Sequence, residues 1–144
     1  KPGHGRLAAY FNLDNGTGRI RGVWGHANQG ALPILEKWGE PLKALGWKMA
    51  SPRSVGATDH ASFDQAGLPG FQFIQDPVEY SSRTHHSNMD VFERVQEEDM
   101  RKNAVIVASF VYLAATRDQL LPRKPLPKPQ PAVGGRGTGA GRGQ

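Results

Sequence analysis

Apolar and polar positions alternate along the chain in a way that predicts an α/β fold. Residues 7–13 form a mostly apolar run and residues 19–25 alternate apolar with charged positions, so both segments predict strands. An Asn-Gly pair lies between them and favours a turn, and we expect the two strands to form a hairpin. Residues 47–49 predict a brief strand and residues 70–75 a more apolar one.

Three other segments predict helices. Residues 30–45 space their large apolar side chains by three or four, and Pro41 within them predicts a kink or a break. Residues 60–67 predict a short helix, and residues 100–117 a longer one capped by Asp99. The expected buried face of this last helix is Ala104, Val107, Ala108 and Val111. Residues 80–90 lack any periodicity and predict a loop.

This order of elements indicates a three-layer α/β sandwich with a mixed central sheet. Four strands alone would leave a long unpaired edge, which native folds avoid. The chain begins at Lys1 and enters a strand pattern almost at once. We therefore expect residues 1–121 to be the C-terminal portion of a larger domain.

The net charge of +5 comes from the end of the chain. Residues 122–144 hold five of the 18 basic residues and no acidic one, so residues 1–121 carry 13 basic and 13 acidic residues. A nucleic-acid surface requires a basic patch on the folded body, and this distribution argues against one. The same 23 residues are rich in Pro, Gly and Arg, which predicts a disordered tail.

The composition excludes some site classes. The chain has no Cys, so disulfides and thiolate metal sites are impossible, and no apolar run approaches the roughly 18 residues of a membrane helix. We expect no membrane insertion. No signal peptide is visible, which says little because we expect the natural N-terminus to lie upstream.

Several polar residues lie where α/β proteins build their sites. Asp14 follows a predicted strand, Asp59 and His60 precede the last one, and His85-His86 follow it. Each of these residues can be interpreted as structural as well as functional. Asp14 followed by Asn-Gly suits a turn, Asp59 suits a helix N-cap, and two loop histidines suit a solvated surface.

Together, however, three segments resemble one enzyme family. TDHASFDQAGLPGFQF resembles the (S/T)DHxxFxxxGxPxF segment of the co-catalytic zinc aminopeptidases, THHSNMDVFERV resembles their HxxxD segment, and YFNLDNGTG resembles their NLD strand end. That superfamily also contains plasma glutamate carboxypeptidase and the folate hydrolases. The three motifs occur in the family's order, and the resemblance covers roughly residues 7–117. It implies a fold of the zinc-exopeptidase type.

The resemblance also implies residue roles. Asp14 matches a carboxylate ligand of one zinc, and His86 matches the imidazole ligand of the other. Thr58, Asp59 and His60 match a segment that shapes the substrate pocket. His85 stands where some relatives have a Tyr that polarises the scissile carbonyl, and a His could donate a hydrogen bond to the same oxyanion.

In that family two zinc ions activate a shared water, and a Glu serves as general base. The first His ligand, the bridging Asp, the base and the adjacent Glu ligand all lie upstream of the NLD segment, where this chain has only residues 1–13. The resemblance therefore implies an exopeptidase with a peptide substrate and two zinc ions, of which this chain supplies one ligand each. We expect the chain alone to be inactive.

Two alternatives remain at this stage. The chain could be a non-catalytic interaction module that binds nucleic acid through its basic tail, or a family member whose metal site has decayed. The presence of both Asp14 and His86 argues against decay. The family favours a periplasmic or extracellular location, and neither the oligomeric state nor the choice between amino- and carboxypeptidase can be inferred.

Overall fold

A computed structural model of the chain describes residues 2–56 and 58–125. The strands are β1 (Tyr10–Asn12), β2 (Ile20–Trp24), β3 (Met49–Ser51) and β4 (Gly70–Gln75). The helices are α1 (Pro2–Arg6), α2 (Leu32–Gly39), α3 (His60–Gln65) and α4 (Glu97–Thr116). Two 3-10 helices (Glu40–Leu45 and Phe92–Arg94) and one π-helical turn (Tyr80–Thr84) complete the elements. Three predicted strands are confirmed, and the fourth, predicted at 47–49, lies two residues later as β3. Helix α1 was not predicted.

The four strands form one mixed sheet in the order β1-β4-β2-β3. Strand β4 runs parallel to β1 and antiparallel to β2, and β3 runs parallel to β2. The predicted β1–β2 hairpin is therefore wrong. The first four residues of β4 are all buried, and this apolar strand takes the position between the two strands that local sequence would have paired.

The side chains of β1 and β4 show that helices cover both faces of the sheet. On one face, Phe11 and Phe73 pack against Phe110 of α4, with ring centroids 5.8 and 5.4 Å from its ring. On the other face, Tyr10 stacks on Phe63 of α3 at 4.0 Å. Because neighbouring residues of a strand point to opposite faces, the sheet lies between α4 and α3.

The predicted buried face of α4 is wrong in part. The fully buried residues of this helix are Asn103, Ile106 and Phe110, whereas Ala104, Ala108 and Val111 are exposed and Val107 is half-buried. The polar residue in this face has a specific role. The Asn103 amide accepts a hydrogen bond from the Ile20 N–H (2.7 Å) and donates one to the Gly18 carbonyl (3.0 Å). It thereby satisfies backbone groups next to an irregularity in the pairing of β2.

The predicted break at Pro41 is confirmed, because α2 ends at Gly39 and a 3-10 helix follows. Gly46 ends that helix with a φ of 114°, a left-handed conformation that Gly adopts readily. The predicted caps differ. Asp59 makes no side-chain capping bond to α3, and α4 begins at Glu97, so that Asp99 lies inside it and pairs with Arg19 at 2.7 Å.

Residues 121–125, here called the C-terminal strap, pack against the body. Leu121 belongs to the core, and the Pro122 carbonyl accepts a hydrogen bond from the Asn28 amide (2.7 Å). Arg123 donates to backbone carbonyls of residues 4, 5 and 7, and Lys124 pairs with Asp64 at 2.6 Å. The first part of the predicted tail thus contacts the fold, and its remainder, 126–144, lies outside the described residues. Within the described part of the chain, no helix is both long and apolar enough to cross a membrane.

Candidate metal-binding cleft

A cavity of about 430 Å³ lies where three chain segments meet. The turn after β1, the segment between β3 and α3, and the loop after β4 all contribute to it. Its lining residues are Asp14, Asn15, Gly56, Thr58, Tyr80, Ser81, His85, His86 and Asp90. Two carboxylates and two imidazoles thus line one cleft although they are up to 76 positions apart in sequence.

Asp14 reaches the cleft because β1 ends at Asn12 and the chain turns there. The turn is held against the start of the loop that follows β4. The Thr17 hydroxyl contacts the carbonyls of Pro77 (2.9 Å) and Val78 (2.8 Å), and the Gly18 N–H donates to the Asp76 carbonyl (3.0 Å). Strands β1 and β4 are parallel neighbours, so their carboxyl ends lie at the same edge of the sheet.

The loop after β4 carries both histidines. The π-helical turn closes when the His85 N–H donates to the Tyr80 carbonyl at 2.8 Å. The imidazoles of His85 and His86 stack with centroids 4.0 Å apart, and both side chains are exposed. His86 has a φ of 55°, in the left-handed region that is uncommon for residues other than Gly. With the loop in this conformation, both rings line the cleft.

Tyr80 is a cleft residue that the sequence pattern did not indicate. Its phenol donates a hydrogen bond to the Asp14 carbonyl (3.0 Å), and its ring lies 4.8 Å from that of His85. Partial burial, and after it the carboxylates of Asp14 and Asp90, raise the pKa of Tyr80 above its usual value. The phenol therefore stays protonated as a donor. The only sequence signal for it is a single aromatic residue within an otherwise polar loop.

Beneath the cleft lies a second layer of polar side chains. The Thr58 hydroxyl, which lines the cleft, contacts the His60 Nδ1 and lies 3.1 Å from the Gln72 amide oxygen. The His60 Nε2 lies 3.0 Å from the Val55 carbonyl, which can only accept, so this nitrogen carries a hydrogen. His60 is fully buried. It thus supports Thr58 from below without lining the cleft itself.

The remaining predicted site residue, Asp59, is exposed and does not line the cleft. Its carboxylate lies near the phenol of Tyr10 and contributes, after burial, to raising the pKa of that phenol. Of the six predicted residues, the structure brings four together: Asp14, Thr58, His85 and His86. Their roles as ligands or substrate contacts stay predictions.

The cleft has the donor types of a zinc site but not a full set. Carboxylate oxygens and imidazole nitrogens are the usual zinc ligands when no thiolate is present. Among residues 2–56 and 58–125, no group of three or more His, Cys, Asp or Glu side chains is arranged to hold a metal ion. A catalytic zinc commonly has three protein ligands. The described residues therefore do not by themselves form a metal site.

Comparisons with known proteins support the fold. No protein-family model matches this chain, and no curated protein matches it. Among solved structures, the chain is similar to the crystal structure of a Peptidase M28 precursor from Shewanella amazonensis SB2B, with a TM-score of 0.67 and 22% sequence identity. The match covers 83% of this chain and 27% of that chain. The fold is thus α/β, with a mixed sheet flanked by helices as in that peptidase, and the chain spans about a quarter of its length.

Proposed function

We propose that this chain is part of a zinc-dependent exopeptidase, specifically an aminopeptidase. One observation carries the proposal: a single cleft gathers Asp14, His85, His86 and Asp90 from two distant segments, on a fold similar to that of a Peptidase M28 precursor. The two histidines that line the cleft are exposed, so a peptide end can reach them. The choice of amino- over carboxypeptidase rests on the family resemblance of the sequence motifs.

In this proposal Asp14 binds one zinc ion and His86 binds the other. Two zinc ions in such a site supply a water of lowered pKa as the nucleophile. The described residues do not contain the further ligands or a carboxylate placed as general base. We propose that another segment of the full-length protein supplies them, and that the 144-residue chain alone shows no turnover.

The other cleft residues act on the substrate. His85 lies beside His86 and is exposed, so its imidazole can donate a hydrogen bond to the oxygen of the scissile carbonyl. Thr58 offers its hydroxyl to the peptide, while the His60 ring beneath fixes the direction of that hydroxyl. Asp90 adds negative charge at the rim, which favours a substrate with a protonated amino terminus.

The alternative of nucleic-acid binding through the basic tail receives less support. Two of the five tail cations make intramolecular contacts: Arg123 donates to carbonyls at the end of α1, and Lys124 pairs with Asp64. Their charges are thus partly used within the fold. Residues 1–121 carry 13 basic and 13 acidic residues, so the charge of the body is balanced.

The test is hydrolysis of amino-acid anilides by the full-length protein with zinc. Asp14→Asn and His86→Ala should each lower kcat/KM by at least about 100-fold, since a lost ligand costs more than a lost outer partner. The matched controls are Asp118→Asn and His4→Ala, at exposed positions outside the cleft, which should leave kcat/KM unchanged. Zinc content measured on each variant should fall only for the cleft substitutions.

His85→Ala separates the two histidine roles. We expect it to lower kcat and leave the zinc content intact, whereas His86→Ala should lower both. If His85→Ala loses zinc and His86→Ala does not, the ligand assignment must be exchanged. An active protein indifferent to both Asp14→Asn and His86→Ala would show that the cleft is not the metal site.

A further inference from the structure

Tyr80 connects the two segments that carry the proposed zinc ligands. Its phenol donates to the main-chain carbonyl of Asp14 at 3.0 Å. Its own carbonyl accepts the hydrogen bond from the His85 N–H at 2.8 Å that closes the π turn. Its ring also lies 4.8 Å from the His85 imidazole, which in turn stacks on His86. One residue therefore contacts both sides of the cleft.

The loop around Tyr80 is held in a costly conformation. Val78 and Glu79, directly before it, have φ values of 38° and 62°, and His86 has a φ of 55°. Residues other than Gly adopt this region only at an energetic cost. Such a loop keeps one conformation only where surrounding contacts fix it. The Glu79 carboxylate is held by Arg83 and Arg94, but these ion pairs lie on the exposed side of the loop.

We propose that Tyr80 is a positioning residue that sets the separation of Asp14 from the His85-His86 pair, and through it the affinity of the cleft for metal. The inference rests on the proposed zinc-peptidase function. Its reason is geometric. Asp14 and His86 are proposed to bind two zinc ions that lie about 3.5–4 Å apart in such sites. Each zinc ion accepts nitrogen and oxygen ligands only at about 2.0–2.2 Å, so the two segments that carry the ligands need a rigid connection. Thr17 and Gly18 hold the turn after β1 against the loop after β4, and the Tyr80 phenol adds a hydrogen bond to Asp14 itself.

The test is Tyr80→Phe in the full-length protein. This variant keeps the ring beside His85 and removes only the hydroxyl. We expect zinc affinity to fall by about 10- to 100-fold and kcat to fall in the same range at saturating zinc, the effect typical of outer-layer partners of metal ligands. The Co²⁺-substituted protein should show an altered ligand-field absorption spectrum, which a loss of stability alone would not produce.

Two further variants make the result specific. Tyr112→Phe removes a phenol that is 67% exposed on α4, and it should change neither zinc affinity nor the spectrum. Replacing Tyr80 with 4-aminophenylalanine restores a hydrogen-bond donor at the same place and should recover most of the lost zinc affinity. This rescue also tests the inference if Tyr80→Phe folds poorly.

The outcomes separate this inference from the proposed function. If Tyr80→Phe binds zinc and turns over like the wild type while Asp14→Asn and His86→Ala remain inactive, the positioning role is refuted and the peptidase assignment stands. If Asp14→Asn and His86→Ala both leave kcat/KM and zinc content unchanged, the proposed function is refuted, and the role of Tyr80 is refuted with it. Weaker zinc binding by Tyr80→Phe, recovered by the aniline side chain, establishes the role.

Discussion

Burial of His26 should make the stability of this protein depend on pH between about 4 and 6.5. The residue is 3% exposed, and its ring lies 4.3 Å from that of His60. Its Nε2 has no hydrogen-bond partner among the described residues. Burial, followed by the positive charge that His60 and Lys124 can place nearby, lowers the pKa of His26 from 6.5 to about 4, against the opposing effect of Asp64.

The sign of the effect follows from proton linkage. Between pH 4 and 6.5 the unfolded chain binds a proton at this imidazole and the native protein does not, so the free energy of unfolding rises with pH across that window. Above about pH 6.5 His26 is neutral in both states and does not lower the free energy of unfolding. As the pH falls toward 4, the free energy of unfolding decreases. The difference between a pKa of 6.5 and one of about 4 corresponds to roughly 3 kcal/mol.

Urea unfolding at pH values from 8 to 4 measures this effect directly. His26→Asn is the informative variant, because Asn cannot titrate and tolerates the left-handed φ of 52° at this position. We expect the unfolding free energy of this variant to be lower than that of the wild type at pH 8, because packing is lost. Between pH 8 and pH 4 it should fall less than that of the wild type, by up to roughly 3 kcal/mol. His4→Asn, on an exposed histidine, should follow the wild-type curve. A His26→Asn curve as steep as that of the wild type would refute the reasoning.

Two further predictions concern stability alone and use urea unfolding at neutral pH. A chain ended after residue 125 should unfold like the wild type, whereas one ended after residue 121 should lose about 1–3 kcal/mol with the partly buried hydrogen bonds of the strap, among them the Lys124–Asp64 pair. Equal stabilities would contradict a role for the strap. Gly22→Ala should cost about 1–3 kcal/mol, because its Cβ would lie 2.2 Å from the Met49 carbonyl oxygen, whereas Gly3→Ala has open space and should cost little.

Local sequence patterns account for the strands, the helices and most segments of the site. Short-range periodicity specified four strands, the break in the helix at Pro41 and the α/β class, because these depend on neighbouring residues. The motifs also named Asp14, Thr58, His85 and His86, which the structure brings to one cleft. Motifs work here because a binding site needs particular side chains at particular strand ends.

The arrangement of these strands, helices and site segments in space depends on contacts between residues distant in the sequence. The insertion of β4 between β1 and β2 depends on pairing between residues that are 48 to 60 positions apart, which no local turn signal contains. The buried face of α4 is set by Asn103, whose amide satisfies the backbone of β2, a need that becomes visible only when the helix is docked. Tyr80 could not be predicted because its contacts are long-range as well. Its hydrogen bond spans 66 residues to Asp14, and its position matters because of what lies across the cleft rather than because of its neighbours in the chain.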